Sequence, residues 1–273
     1  MLIDIAMPLT LLFVTLVSAF LNEKAEGKLK ATLEERELAM KDVVLLVAGM
    51  AIVVSIMVFI PQMAIMALFL FSYSSLLFVI TYIFSNKRWY VSWIPPATFL
   101  LLYLFLRGTT IWSNYLVNLY GLIFAILITL YIGGIFTWKT TLIFGGVITI
   151  MDIILVLVTG SMITAAQQTA SLKLPVIVQV PIIPLTFNKE GQLQLMGLGL
   201  GDFFFTGLLV IQTWKRFGKK TAIVSAIGMA VSFFVFATIL LNYGPIFFPG
   251  TVMIICGWLP IILWKTQTSK KIA

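Results

Sequence analysis

Residues 196–209 read MGLGLGDFFFTGLL, an apolar run with glycine at every second position from Gly197 to Gly201, followed by one carboxylate, Asp202. A carboxylate in hydrocarbon costs about 2.5–3.5 kcal/mol on insertion scales, so its presence there points to function and demands a partner. The chain offers one candidate, Asp152, in the apolar run just before.

The composition around this stretch is that of a membrane protein. Of 273 residues, 61% are hydrophobic and 10% charged, whereas soluble domains are roughly half apolar and a quarter charged. Few residues lie outside apolar runs, so one membrane-embedded domain over 1–273 is expected. There is no histidine and one cysteine, Cys256, which excludes an internal disulfide and any Cys/His metal site. The start, MLIDIAMPLT, lacks a basic n-region, and the first apolar run reads as a retained span rather than a cleaved signal. The net charge of +8 sits in short clusters between apolar runs. That pattern fits the bias that orients membrane proteins better than it fits nucleic-acid binding.

Runs near the length needed to cross ~30 Å of hydrocarbon at about 1.5 Å per residue fall at 5–21, 43–60, 63–84, 93–106, 116–136, 142–158, 195–214, 222–241 and 247–264. The expected fold is therefore all-α, a polytopic membrane protein of nine transmembrane helices. Open sheets leave unpaired backbone in lipid, and barrel strands alternate with period two. Only Pro61 and Gln62 separate the second and third spans, and the short fourth must tilt or extend back through Tyr90. With nine spans, 15 of the 18 basic residues lie on the side of the 23–42 segment, and only Arg107, Lys173 and Lys189 lie opposite. That side is then cytoplasmic, with the N terminus outside the cell membrane and the C terminus inside. The 23–42 segment mixes signs and is helix-friendly. It reads as an amphipathic connector with Leu29, Leu33 and Leu38 on one side, or as a plain solvated linker.

Of the ten acidic residues, only Asp152 and Asp202 fall within spans, while Asp4 sits at the terminus and the rest in two connecting segments. Neither has a lysine or arginine near it in its own span, and two such acids relieve their cost by facing each other and sharing a proton. Counted from the span boundaries on the outer side, both lie roughly 9–11 Å deep. A pair of this kind can split a peptide bond. One carboxylate activates water, the other acid protonates the carbonyl oxygen, and the roles reverse as the amine leaves. Without histidine there is no Ser–His pair and no HExxH site, and no lysine lies in a span to activate a serine. Paired aspartates are the route to intramembrane proteolysis left open.

In a helix Gly197, Gly199 and Gly201 would each cost up to ~1 kcal/mol relative to alanine. In exchange they clear the surroundings of Asp202 for a neighbouring helix or an extended peptide. Ordinary small-residue packing is the plainer reading, and it accounts for Gly133, Gly134, Gly145 and Gly146. The outer segment 171–194, between the catalytic spans of region 142–214, is β-branched and proline-punctuated, with a turn signal NKEG at 188–191. Residues 176–180 and 192–195 form either a short hairpin above the carboxylates or an irregular loop. A hairpin edge would accept an unwound substrate strand by β-augmentation, with Val176, Val178, Val180, Gln192 and Gln194 as its candidate contacts.

The tetrapeptide Gly199-Leu200-Gly201-Asp202, followed by FFFTGLL, resembles the GxGD aspartyl intramembrane proteases, the presenilin and signal peptide peptidase family, and among them the archaeal members. The resemblance implies a presenilin-like fold with catalytic Asp152 and Asp202 in the sixth and seventh spans. It also implies an active-site motif of Gly199, Leu200, Gly201 and Pro249. The family's Tyr-Asp stands here as Met151-Asp152, and its Pro-Ala-Leu at the start of the ninth span as Pro249-Gly250-Thr251. Gly244 and Pro245 suit a loop that positions this last span. The implied activity is an intramembrane aspartyl endopeptidase with no metal or organic cofactor. Its orientation is similar to signal peptide peptidase and opposite to presenilin, so the implied substrates are transmembrane helices or remnant signal peptides with cytoplasmic N termini. The lipid bilayer and transmembrane peptides are the expected partners. Nothing resembles a docking domain, so no obligatory accessory subunit is expected. Two other readings compete. A prepilin-type GxGD peptidase requires aspartates near the cytoplasmic face. A proton- or ion-coupled transporter using the acids as a relay requires broken helices in two corresponding halves.

Overall fold

The computed structural model describes residues 2–33, 38–187, 191–244 and 247–272. Its elements, in chain order, are α1 (Ala6–Leu33), α2 (Met40–Ile56), α3 (Gln62–Phe84), α4 (Trp89–Ser92), α5 (Ile94–Leu106), α6 (Val117–Gly133), α7 (Trp138–Ile153), α8 (Ser161–Ser171), strands β1 (Ile177–Pro181) and β2 (Leu195–Gly199), α9 (Leu200–Phe217), α10 (Lys219–Tyr243) and α11 (Gly250–Ile272). Apart from the one two-stranded sheet this is an all-α polytopic membrane protein. Among the described residues, seven helical stretches are long and apolar enough to cross a membrane: Ala6–Leu29, Met40–Phe59, Gln62–Phe84, Trp89–Leu106, Trp112–Gly133, Trp138–Val158 and Lys219–Tyr243. The fourth is made of α4 and α5 in line, so it reaches back through Tyr90 as its short apolar run requires.

α9 is the centre of the bundle, packed by α1, α6, α7, α10 and α11. Every residue from Phe203 to Thr213 is buried. A helix enclosed by protein need not be apolar if its polar groups are matched. That explains why α9, with Asp202, Lys215 and Arg216 among its 18 residues, is absent from the seven stretches. Its Gln212, 2% exposed, donates from Nε2 to the carbonyls of Gly133 (3.1 Å) and Phe136 (2.7 Å). The Gly133 carbonyl is an orphan acceptor at the end of α6, and that of Phe136 lies in the connection that follows. Gly207 lets α9 lie against Thr129 of α6, whose Oγ1 is 3.1 Å from the position of an added Cβ.

The periphery has the opposite character. Leu45 of α2 is 69% exposed, Phe71 of α3 74% and Phe105 of α5 78%. Apolar faces this broad are a liability in water and cost nothing against lipid tails.

Three expectations from the sequence differ from the structure. The run at 195–214 was expected to be one helix, yet residues 195–199 form a strand and the helix starts at Leu200. Glycine at alternate positions is poor helix material, and β1 supplies a partner strand. The hairpin pairs Ile177 with Gly199 through Pro181 with Leu195, so its second strand lies further along the chain than 192–195. A single antiparallel bridge, Phe187 to Leu193, closes the loop nearer its turn, and Asn188, Lys189 and Glu190 of the expected turn lie outside the described residues. In the third difference, the 23–42 segment is no separate surface helix in its first half. α1 runs on through it to Leu33, with Ala25 and Leu29 packed against Ile80 and Ile83 of α3. The remainder includes 34–37, outside the described residues. α8 was not anticipated.

The N terminus is pinned at the hairpin end of the bundle. Asp4, fully buried, accepts from the N–H groups of Ala6 (3.0 Å) and Met7 (3.3 Å) at the start of α1 and from Ile183 N–H (3.5 Å). Burial nonetheless pushes its carboxyl above the ordinary value, against the pull of those three donors. A raised folded-state value means that stability is fullest below the ordinary carboxylate range and is lost as pH rises through the folded value. Asp4→Ala should lower unfolding stability by about 1 kcal/mol through loss of the cap. Asp4→Asn, which keeps an acceptor without a charge, should gain on the wild type as pH increases. Thermal melts of the purified protein at several pH values check both.

Candidate active site

Bonding between antiparallel strands alternates, and the bond from Leu200 N–H to Val176 O (2.9 Å) sets its phase here. The backbone groups of Leu195, Gly197 and Gly199 therefore point away from β1. The opposite edge of β1 is occupied, since Gln179 N–H donates to Asn118 Oδ1 of α6 (2.8 Å). The open edge belongs to β2, and it leads straight into the first turn of α9. There Asp202 is the third helical residue, and its carboxylate accepts from the Gly199 N–H. This is one half of a capping box, with the acid reaching back to the residue that starts the helix.

Asp152 lies at the same end, next to the last residue of α7, and is 7% exposed. Directly after it the chain takes a π-helical turn, Ile154–Val158, a widened geometry frequent at functional sites. The two acids come together through the start of α11. Gly250 abuts the Asp202 carboxylate so closely that an added Cβ would lie 2.7 Å from its Cγ. The next residue, Thr251, donates to Asp152 Oδ2 from its hydroxyl (2.7 Å) and its N–H (3.3 Å). Consecutive residues are ~3.8 Å apart at Cα, so one step of chain separates the contacts to the two carboxylates. Their charges interact, and among the described residues neither has a lysine or arginine partner.

The motif glycines differ in what surrounds them. Gly197 lies under Ile177, 3.1 Å from the position of an added Cβ, and so serves the hairpin. A Cβ added at Gly199 would stand 3.5 Å from Asp202 Oδ2. Gly201 has open space where a Cβ would stand and is exposed. Leu200 packs inward against the core, and Pro249 is buried immediately before α11.

The candidate substrate contacts divide. Val178 is fully buried, with Cγ2 against Gly121 of α6, so it is a foundation of the hairpin and is withdrawn as a contact. Val180 is half-buried on β1, the strand whose free edge is already taken, and Val176, also half-buried, lies just before that strand. Gln194 bonds through its backbone to Thr186 and Ile182, and Gln192 is exposed in the loop. Neither glutamine is in β2. The sequence reading also missed Gly250 and Thr251, although the departure from Pro-Ala-Leu marked their positions. Gly244 closes α10, while Pro245 lies outside the described residues.

Both supports of the site are firmly tied. Tyr73, Tyr103 and Trp112, from three different helical stretches, donate to the carbonyls of Pro175 (3.0 Å), Leu172 (3.0 Å) and Lys173 (2.9 Å), fixing the approach to β1. α11 is held to α9 by Trp258 Nε1–H donating to Thr213 Oγ1 (3.0 Å), and to α10 by Ser232 donating to Met253 O (2.7 Å). Its Gly257 meets Gly228 of α10 with backbone against backbone.

No protein-family model and no curated protein matches this chain.

Proposed function

We propose that this protein is an intramembrane aspartyl endopeptidase of the presenilin and signal peptide peptidase type, hydrolysing peptide bonds within transmembrane helices or remnant signal peptides. One observation carries the reading. Two acids fifty positions apart, neither with a cation among the described residues, are drawn to one place by adjacent residues of a third helix. Buried like charges are expensive, and a shared proton with a water between them is what makes such an arrangement useful.

The rest of the site suits a peptide substrate. A helix must unwind before its carbonyls can be attacked, and the open edge of β2 offers backbone partners to an unwound strand by β-augmentation. Gly201 leaves space beside Asp202 on that path. In this reading α9 and α11 complete nine spans, and the chain sits with its N terminus outside the cell membrane and its C terminus in the cytoplasm. Reporter domains fused to the two termini test the orientation, and a C terminus found outside overturns it. The activity is tested by incubating the purified protein in lipid with a labelled transmembrane peptide. A cut product is expected from the wild type and from neither single aspartate variant.

A further inference from the structure

We propose that Thr251 is a positioning residue that holds Asp152 as the ionised member of the pair, making Asp152 the general base and leaving the shared proton on Asp202. The inference rests on the protease reading above and deepens it.

The asymmetry between the carboxylates is geometric. Asp152 Oδ2 takes two donors from one residue, the Thr251 hydroxyl at 2.7 Å and the Thr251 N–H at 3.3 Å. Both sit in the first turn of α11, where unpaired N–H groups and the helix dipole favour a negative charge. Thr251 is 5% exposed, so water does not compete freely for its hydroxyl. Hydrogen bonds to the charged form of an acid favour that form. They also fix Oδ2, which leaves Oδ1 without a hydrogen bond in the structure and available to a water. Asp202 receives one backbone donor, Gly199, and the residue beside it in α11, Gly250, has no side chain to offer.

The charged surroundings of Asp152 are simple. Asp202 on α9 is the titratable group that faces it. α7 itself carries Lys139, α9 carries Lys215 and Arg216, α2 carries Lys41 and Asp42, and α11 carries Lys265, Lys270 and Lys271, all at the far ends of those helices from Asp152. α8 and the π-helical turn after Asp152 carry no charged residue.

The step that follows balances. Asp152 takes a proton from water as the water oxygen bonds to the carbonyl carbon, and the carbonyl π pair moves to oxygen, which takes the proton of Asp202. On collapse of the resulting diol, one hydroxyl proton returns to Asp202 and the amine leaves with the proton from Asp152 as the C–N bond breaks. One peptide bond and one water give one acid and one amine.

The test compares wild type, Thr251→Val, which keeps the shape and loses the hydroxyl, and Thr251→Ser, which restores it. The rate of peptide cleavage is measured against pH in lipid, alongside an infrared titration of the carboxyl bands that needs no substrate. In Thr251→Val the acid limb of the rate profile and the lower carboxyl midpoint should both move to higher pH by about one unit. Thr251→Ser should bring both back. A Thr251→Val enzyme that is slower at every pH, with limb and midpoint unmoved, shows a merely structural contact and overturns the proposal. If no variant cuts the peptide while the infrared midpoint still shifts, the positioning role stands and the protease reading is what fails.

Discussion

Asparagine at position 202 should slow cleavage of a labelled transmembrane peptide by about 10³-fold or more, and asparagine at position 152 should do the same. A single general acid or base contributes on the order of 10²–10⁴. Members of one catalytic unit are not additive, so the double variant should be no worse than either single one. The isosteric change separates chemistry from folding. An asparagine at 202 still accepts from the Gly199 N–H at the start of α9 and one at 152 still accepts from Thr251, so melting temperatures should stay close to the wild type. Alanine at either position should be equally inactive. Cleavage surviving in Asp152→Asn would remove the acid pair from the mechanism, and a transporter would yield no cut product with any of these proteins.

Alanine at position 257 is the second large effect, and it acts from two helical turns below the site. The added methyl would meet the Gly228 carbonyl carbon and Met229 Cα, each at 2.7 Å. Backbone cannot step aside as a side-chain tip can, so α10 and α11 must separate. Overpacking of this kind typically costs about 1–3 kcal/mol. In lipid, close packing is what holds helices together, with no hydrophobic drive to compensate. Gly250 and Thr251 ride on the same helix, so Gly257→Ala should lower the melting temperature and depress cleavage together. Gly146→Ala is the control. It lies on α7, the helix of Asp152, but has nothing within 4 Å of an added Cβ, so it should leave cleavage intact and favour the helix by up to ~1 kcal/mol. Equal behaviour of the two variants would remove the close crossing of α10 and α11 from the account.

What could be read in advance follows from which signals survive in a membrane. Length and apolarity located the seven stretches that are apolar helices among the described residues, and the break at Pro61 and the backward extension of the fourth through Tyr90 were visible in the letters. Asp152 and Asp202 stood out because a charge among apolar residues is conspicuous without knowledge of its neighbours. Their depth was less legible. Asp202 lies in the first turn of α9 because residues 195–199 left the helix for a strand, and that choice depended on β1, a partner the local sequence does not contain. The same dependence hid the uses of the glycines. Gly197 serves a cross-strand contact, Gly201 open space and Gly250 a carboxylate, and nothing in a glycine distinguishes these. Thr251 could be found only once α11 was seen to begin beside Asp152, since a lone threonine at a helix start is ordinary.

The enclosure of α9 has a consequence for traffic in the plane of the bilayer. From Phe203 to Thr213 it offers no flank to lipid, so a guest drifting sideways cannot lie alongside it. Under the proposed function, admission would be confined to the rim where β2 becomes helix, and a guest would have to surrender its own coil before reaching the acids.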